Sequence, residues 1–451
     1  MSNTTIISLI IFAATYVLML AFQKIRPHVA VASAVLFVIL GSTGALNNFS
    51  YGFVDAISQI DWNVLMMIAG TRGTVYLFIE SKMPQRISDA LMSKVPDVRA
   101  AVIVLSLFSG AISAFVDNVA TVIMIAPVAL SFCKKLKISP VPSIICIAIS
   151  SNLQGAATLV GDTTSILLGK AANLDFFDFF WDDGRLGMFF VVELGAIAAT
   201  LVIALLFRKQ KQKIEIRDRT EVSDKVPTVL LLLTIATLIA ASFIPYKSNA
   251  AEGQFYKPDI TNGLICMFYF VVGLIYTIIK TKKFDVVKNA LKEIDYYTII
   301  LLAGLFIVIG GITEAGVIDW LGQTISKVGG GGSGSVFFVY TVIVWVSVAL
   351  SAFVDNIPYT ATMLPVVAVI AESLNAAGAT VNPKLLYYGL LVGATLGGNL
   401  TPIGASANIA GIGILRKEGY TVKTKEFLKY GIPLTLAAVV TGYLMVWALW
   451  S

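Results

Sequence analysis

The sequence predicts an all-α, polytopic membrane protein: two inverted repeats, about 10 transmembrane spans, two re-entrant hairpins and two interrupted helices. Three observations carry this. Of 451 residues, 57% are hydrophobic and 13% charged, against about 25% charged in soluble domains, and mean hydropathy is +0.84. Apolar runs near the length of about 20 residues that crosses a bilayer recur along the chain. Three blocks of the first half return, in the same order, in the second. This composition excludes a disordered chain and argues against a soluble enzyme.

Spans are read at 5–23, 29–46, 62–79, 186–207, 226–244, 260–280, 297–316 and 432–450. Stretches 141–170 and 385–415 are apolar but broken by Gly, Pro, Asn and Thr. Stretches 98–133 and 335–374 are apolar with an Asp-Asn pair near the middle. Cytoplasmic loops carry an excess of Lys and Arg. Segments 24–28, 80–99, 134–139, 208–225, 280–293 and 416–429 hold 26 of the 33 basic residues, the opposite loops hold 6, and Arg72 lies inside a span. The net charge of +6 is thus topological, and nucleic acid is not an expected partner. Arg208–Lys213 with Arg217 and Arg219 is read as an anchor near lipid head groups. The acidic, aromatic segment 170–185 is expected to form an interfacial belt or amphipathic helix. Gly329–Ser335 reads as a flexible connection. Cys133, Cys146 and Cys266 lack metal or disulfide spacing and His28 is the one histidine, so no zinc site or His triad is expected.

The repeat fixes the organisation. IDWNVLMMIA at 60–69 answers IDYYTIILLA at 294–303, and Glu80 is in register with Glu314. Ser113-Ala-Phe-Val-Asp117-Asn118 recurs as Ser351-Ala-Phe-Val-Asp355-Asn356, each followed nine residues later by a proline, Pro127 and Pro365. Gly155-AATLV-Gly161-DTTSI answers Gly398-NLTPI-Gly404-ASANI. With the charge-derived topology, span 62–79 runs inward and its mate 297–316 outward. The halves, 1–207 and 226–451 about a basic linker 208–225, are therefore expected to be inverted, the architecture of secondary transporters.

An ionised Asp at bilayer depth is costly and marks function by default. Two full spans would leave each Asp-Asn in a surface turn. The flanks Ala114-Phe115-Val116 and Val119-Ala120-Thr121 lack turn punctuation, so re-entrant hairpins are expected, with tips near the midplane. Asp117 and Asp355 would cap the half-helices that follow, and Asn118, Thr121, Asn356 and Thr360 lie beside them. Around the breaks, Asp162, Thr163 and Thr164 in one half and Asn399, Thr401, Ser406 and Asn408 in the other offer the oxygens that hard cations take. Small polar residues also glue helices together, the competing reading of the same residues. Asp162 faces Ala405, so one half carries an extra carboxylate, a candidate proton or cation carrier. Arg72, facing Phe306, is expected to counter Asp117 or Asp162, or to bind an anion. Na⁺ is placed at Asp117, Asn118, Asp355 and Asn356. No other metal and no cofactor is expected, the coupling ion being Na⁺ or H⁺.

At SAFVDNVATVIMIAPV, SAFVDNIPYTATMLPVV, GAATLVGDTTSILL and GGNLTPIGASANIAG the sequence resembles the ion transporter superfamily, specifically its ArsB/NhaD-type permeases. The resemblance spans about 29–450. That group includes arsenite permeases, NhaD-type sodium/proton antiporters, the melanosomal P protein and, more distantly, dicarboxylate and citrate carriers. It implies a scaffold part and a transport part with two hairpins, often in a homodimer with an elevator-like motion. The dicarboxylate branch has Ser-Asn-Thr at its tips, whereas Asp117-Asn118-Val119 and Asp355-Asn356-Ile357 stand here. Gly161-Asp162-Thr163-Thr164 is similar to the NhaD pattern, where many relatives have Gly-Asp-Pro-Pro. The resemblance implies a secondary transporter of the cell (inner or plasma) membrane, Na⁺/H⁺ antiporter-like, with an anion or metalloid permease as the alternative. Its expected partners are lipid, a small ion and a second copy of itself.

Overall fold

The computed structural model describes residues 1–214, 220–247, 254–282, 284–329 and 333–451. Residues 330–332 of the connection read at Gly329–Ser335 fall outside them, as do Arg217 and Arg219. Among the described residues there are twenty α-helices and one two-residue hairpin of strands. In order they are α1 (Asn3–Ala21), α2 (Arg26–Thr43), α3 (Phe53–Ser58), α4 (Trp62–Glu80), α5 (Met83–Met92), α6 (Val98–Ser113), α7 (Asn118–Leu136), α8 (Val141–Gly155), α9 (Thr163–Ala171) and α10 (Met188–Leu206). The second half follows with α11 (Val226–Ser242), α12 (Thr261–Thr281), α13 (Asp285–Glu293), α14 (Tyr296–Glu314), α15 (Val317–Gly329), α16 (Ser333–Ser351), α17 (Asn356–Ala376), α18 (Pro383–Leu391), α19 (Ser406–Lys417) and α20 (Thr424–Trp450).

Seven of these, α2, α7, α10, α12, α14, α17 and α20, are long and apolar enough to cross a membrane. Of the other expected spans, α1 and α11 are shorter apolar helices, and α4 carries Asn63 and Arg72 within its length. The protein is a multi-pass membrane protein. Aspartates start many of these helices. Asp61, Asp97, Asp117, Asp162, Asp295 and Asp355 each accept a backbone N–H of the helix they precede, which satisfies a donor that a helix start otherwise leaves open.

Packing sorts the helices into two groups. In the first, α4 lies on α12 and α14 on α2, with α1 and α11 alongside. Two glycines permit these crossings. A methyl at Gly70 would stand 2.4 Å from the Cys266 backbone, and one at its mate Gly304 2.9 Å from that of Ala30. Small residues let helices approach in this way where apolar lipid gives no drive to bury apolar faces. The second group holds the pairs α6/α7 and α16/α17, the broken helices, α10 and α20. Each pair is a helix–turn–helix whose short turn carries the repeated Ala-Phe-Val-Asp. The breaks also stand where expected. α8 stops at Gly155 and α9 begins at Thr163; α18 gives way to a π turn (Val392–Leu396) and a 3₁₀ turn (Gly398–Leu400) before α19.

Two regions differ from the expectation. The connecting segments 80–99 and 280–293 hold the short amphipathic helices α5 and α13. The outer segment 170–185 does not form an amphipathic helix. It packs inward as a 3₁₀ turn (Phe177–Phe179) and the strands β1 (Trp181–Asp182) and β2 (Arg185–Leu186), antiparallel with Trp181 opposite Leu186. Phe176 and Phe179 are buried, and Phe176 lies between Phe115 and Phe180. The physical reason is distant partners for its charges. Lys257 Nζ donates to Asp175 at 2.6 Å, and Lys384 Nζ to Asp182 at 2.6 Å and Asp183 at 2.8 Å. Two basic residues of the outer loops, Lys257 and Lys384, are thus taken up by aspartates.

Candidate functional site

The hairpin turns and the first break converge. Asp117, Asn118, Asp162, Asp355, Asn356 and Ser406 of the predicted set, together with Arg72, line one cavity of about 180 Å³. The three aspartates hold their helix starts. Asp117 Oδ1 accepts from the N–H groups of Val119 and Ala120, both at 3.1 Å. Asp355 Oδ1 accepts from Ile357 N–H at 3.2 Å, and Asp162 Oδ1 from Thr163 N–H at 2.8 Å. Capping is therefore a real role of each, and it leaves the second oxygen or lone pair for something else.

That second valence differs. Arg72 Nη1 donates to Asp117 at 2.7 Å, while its Nη2 donates to Asp295 at 3.2 Å. Of the two expectations for Arg72, the structure shows pairing with Asp117. Asp355 is held by Arg26, whose Nη1 donates at 3.1 Å and whose Nε donates to the Met19 carbonyl at 3.1 Å. Asp162 is 5% exposed and has no ion pair among the described residues. Its Oδ2 accepts from Thr164 Oγ1 at 3.0 Å and from Asn356 Nδ2 at 3.2 Å.

A polar chain joins the two tips through the breaks. Asn118 Nδ2 donates to Asn152 Oδ1 at 2.9 Å, and Asn152 Nδ2 to the Thr395 carbonyl at 2.9 Å. Thr395 and Thr164 share a hydroxyl hydrogen bond of 2.9 Å, and Thr164 leads to Asp162 and so to Asn356. Asn152 and Thr395 are repeat mates, so the halves meet here.

The remaining predicted residues do not line this cavity. Thr121 Oγ1 donates to the Asp117 carbonyl at 2.9 Å. Thr401 Oγ1 donates to the Ala352 carbonyl, and its mate Thr158 to that of Ala114. Asn408 Nδ2 donates to the Thr401 carbonyl at 3.2 Å. Thr360 Oγ1 and both amide atoms of Asn399 are buried with no partner among the described residues. Thr163 and Arg72 line a second, narrow pocket of about 20 Å³ with Asp117, Asp162 and Ile166. Ile166 in turn lines a chamber of about 560 Å³ with Asn63, Met67 and Lys170.

Two residues of the cavity's charge balance escape sequence reasoning. Asp295 stands in a repeated block, so its mate Asp61 was a signal, although an N-cap explains both. Arg26 carries no signal. It is counted among the cytoplasmic anchors, but it is 7% exposed and its partner lies 329 residues away.

Comparison with known proteins gives the same class. An uncharacterized transporter of Mycobacterium tuberculosis (strain ATCC 25618 / H37Rv) is 28% identical over 447 residues, 98% of each chain. The human P protein is 25% identical over 489 residues, 91% of this chain and 57% of that one. Two solved structures share the fold. The YdaH transporter of Alcanivorax borkumensis has a TM-score of 0.59 at 13% identity, covering 93% of this chain and 97% of that one. MtrF of Neisseria gonorrhoeae, described within a class of antimetabolite efflux pumps, has a TM-score of 0.55 at 11% identity, covering 100% and 96%. The family described as citrate transporter (CitMHS) matches residues 9–393, and the chain belongs to that family of secondary transporters.

Proposed function

We propose that this transporter moves a cation against protons, Na⁺/H⁺ antiporter-like, by alternating access of the cavity between two inverted halves, 1–207 and 226–451, joined by the basic linker 208–225. One observation carries the reading: four carboxylates, Asp117, Asp162, Asp295 and Asp355, face two guanidinium groups, Arg26 and Arg72, both already engaged. Fully ionised, the set is left with two negative charges, and buried charge demands a partner. A bound cation or a proton on Asp162 supplies it. Asn118, Asn356 and Ser406 offer further oxygens at the same cavity. We assign the protein to the cell (inner or plasma) membrane, as a homodimer among lipids.

Carriage of citrate or another anion is the second reading, favoured by the family's description. An anion would use the N-termini of α7, α9 and α17, which favour negative charge. One or two N–H groups at each of these starts are already taken by the chain's own aspartates, which weighs against it. Flux into proteoliposomes separates the two. Na⁺-driven proton movement, lost in Asp162→Asn, is the expected result. Uptake of citrate or arsenite with no Na⁺-linked proton movement overturns it.

A further inference from the structure

A basic patch lies where α10 ends and α20 begins, which the charge rule places on the cytoplasmic side. The two helices run antiparallel in contact. A methyl at Gly195 would stand 3.1 Å from the Ala438 carbonyl oxygen, and farther along Phe207 and Tyr430 set their ring centroids 6.1 Å apart. Past α10 the chain is pinned. The Val98 and Arg99 N–H groups donate to the Gln212 and Gln210 carbonyls, both at 3.1 Å, and Ile214 N–H donates to that of Pro96 at 3.3 Å. Phe207 and Ile214 are buried at the two ends of this stretch. Between them Arg208, Lys209, Lys211 and Lys213 are held exposed, and Lys425 and Lys429 stand exposed on the adjoining first turns of α20.

An apolar surface rises from this patch. On α10, Ile197, Leu201 and Leu205 recur every fourth residue and are each more than half exposed. On α20, Ile432, Leu436, Val440 and Leu444 recur in the same way and are exposed, and Lys429 and Lys425 continue their row toward the cytoplasm. Residues three and four apart share a helix face, so each stripe ends in cations. The six cations form no ion pair among the described residues. The carboxylates on these same segments are Glu426 and Asp97, and Asp97 is engaged by the Ala100 N–H at the start of α6.

We propose that the α10/α20 face binds an anionic phospholipid, its acyl chains along the two stripes and its phosphate among Arg208, Lys209, Lys425 and Lys429. Cation clusters just cytoplasmic of a membrane helix attract acidic head groups, and the apolar stripes directly above select a lipid over free phosphate. A second copy suits this face poorly. A twofold interface sets the same patch of both subunits together. With its axis along the bilayer normal, both basic ends meet at the cytoplasmic edge, where like charges oppose association. The backbone pairing of 207–214 with 96–99 fastens the head-group cations to the start of α6, the first helix of the Asp117 hairpin, so the bound lipid braces that pair. The proposal holds whichever ion the cavity carries.

The test titrates lipid into the purified protein in a neutral detergent and reads the melting midpoint, since a ligand stabilises the state it binds. Palmitoyl-oleoyl-phosphatidylglycerol should raise the midpoint saturably, and phosphatidylcholine with the same chains should not. Each basic residue near an anionic surface is worth about fivefold in affinity. Arg208→Gln with Lys209→Gln should therefore raise the half-saturating lipid concentration roughly twentyfold, as should Lys425→Gln with Lys429→Gln. Lys288→Gln with Lys292→Gln, at exposed cations of α13 on the same side of the membrane, should leave it unchanged. An equal loss in the α13 variant, or an equal rise of the midpoint with phosphatidylcholine or with inorganic phosphate, overturns the proposal. The native cysteines are buried, so Leu201→Cys reports on the remaining occupant. Under mild oxidation in the membrane it should form no disulfide between copies. Efficient cross-linking there would overturn the lipid site and assign the face to a second copy.

Discussion

Thr158 donates to the carbonyl of Ala114 in the first hairpin-and-break, and Thr401 to that of Ala352 in the second. A methyl at Gly161 would meet the Gly155, Ala114 and Ser113 carbonyls at 2.5–2.8 Å; one at Gly404 would meet those of Gly398, Ala352 and Ser351 at 2.4–2.8 Å. The two copies thus pack alike, mate for mate. One residue beyond the glycine they part. Asp162 caps α9 and binds Thr164 and Asn356, whereas Ala405 leaves α19 without a side-chain cap. The shared part is the geometry that breaks a helix against a hairpin; the unshared part is charge. Scaffold and chemistry have separated within one duplicated unit.

The sharpest way to break this comparison is to make the first copy like the second. Asp162→Ala should lower coupled flux by about two orders of magnitude, read as lost binding or proton exchange, while costing only about 1 kcal/mol of stability as a lost cap. Flux near the unaltered level would show that the copies differ without consequence. Next in size is Arg72→Gln, which strips Asp117 of its guanidinium. A loss of about 3 kcal/mol is expected, seen as a lower midpoint of thermal unfolding in detergent and reduced by adding Asp117→Asn. Phe306→Leu at the mate position, an apolar exchange, should cost less than about 1.5 kcal/mol.

The shared geometry is tested by Gly161→Ala and Gly404→Ala. Each new methyl meets backbone carbonyls, which have no freedom to yield, so each should cost about 1–3 kcal/mol. The two losses should agree. A large loss at one site and none at the other would mean that the matching contacts do not bear equally on the fold.

Most of the architecture was legible because hydropathy, charge placement and repetition are written along the chain. The spans, the hairpins with Asp117 and Asp355 at their turns, and both breaks follow from local residues. The singularity of Asp162 followed from alignment of one half with the other. What stayed hidden depends on pairing across distance. Arg26 reads as a loop cation until Asp355 is brought to it. Likewise, Asp175 and Asp182 read as surface charge until Lys257 and Lys384 arrive. Sequence also places Asn399, Thr360 and Asp117 in one list, although only the last faces the cavity.

The first copy carries one further thing the second lacks: the folded outer segment between α9 and α10, where α19 and α20 are joined by only the six residues 418–423. Its Asp178 lies outside the spans. Burial, with Asp182 and Asp175 nearby, pushes its carboxyl up to about 6 from 3.8, against the opposing N–H of Asp175 and the charge of Lys384. Between those values the folded chain holds a proton that the unfolded chain has released. Stability falls with rising pH wherever the folded state binds more protons. The contribution of Asp178 is therefore fully present below about pH 4 and is lost as pH rises through about 6. Asp178→Asn keeps an acceptor for Asp175 and cannot titrate. Melting midpoints taken across this range should show the substituted protein gaining on the unaltered one as pH rises, with the gain levelling above pH 6. A constant difference would mean that the buried setting of Asp178 does not govern its charge, and the outer segment would then add packing to the first copy but no titrating group.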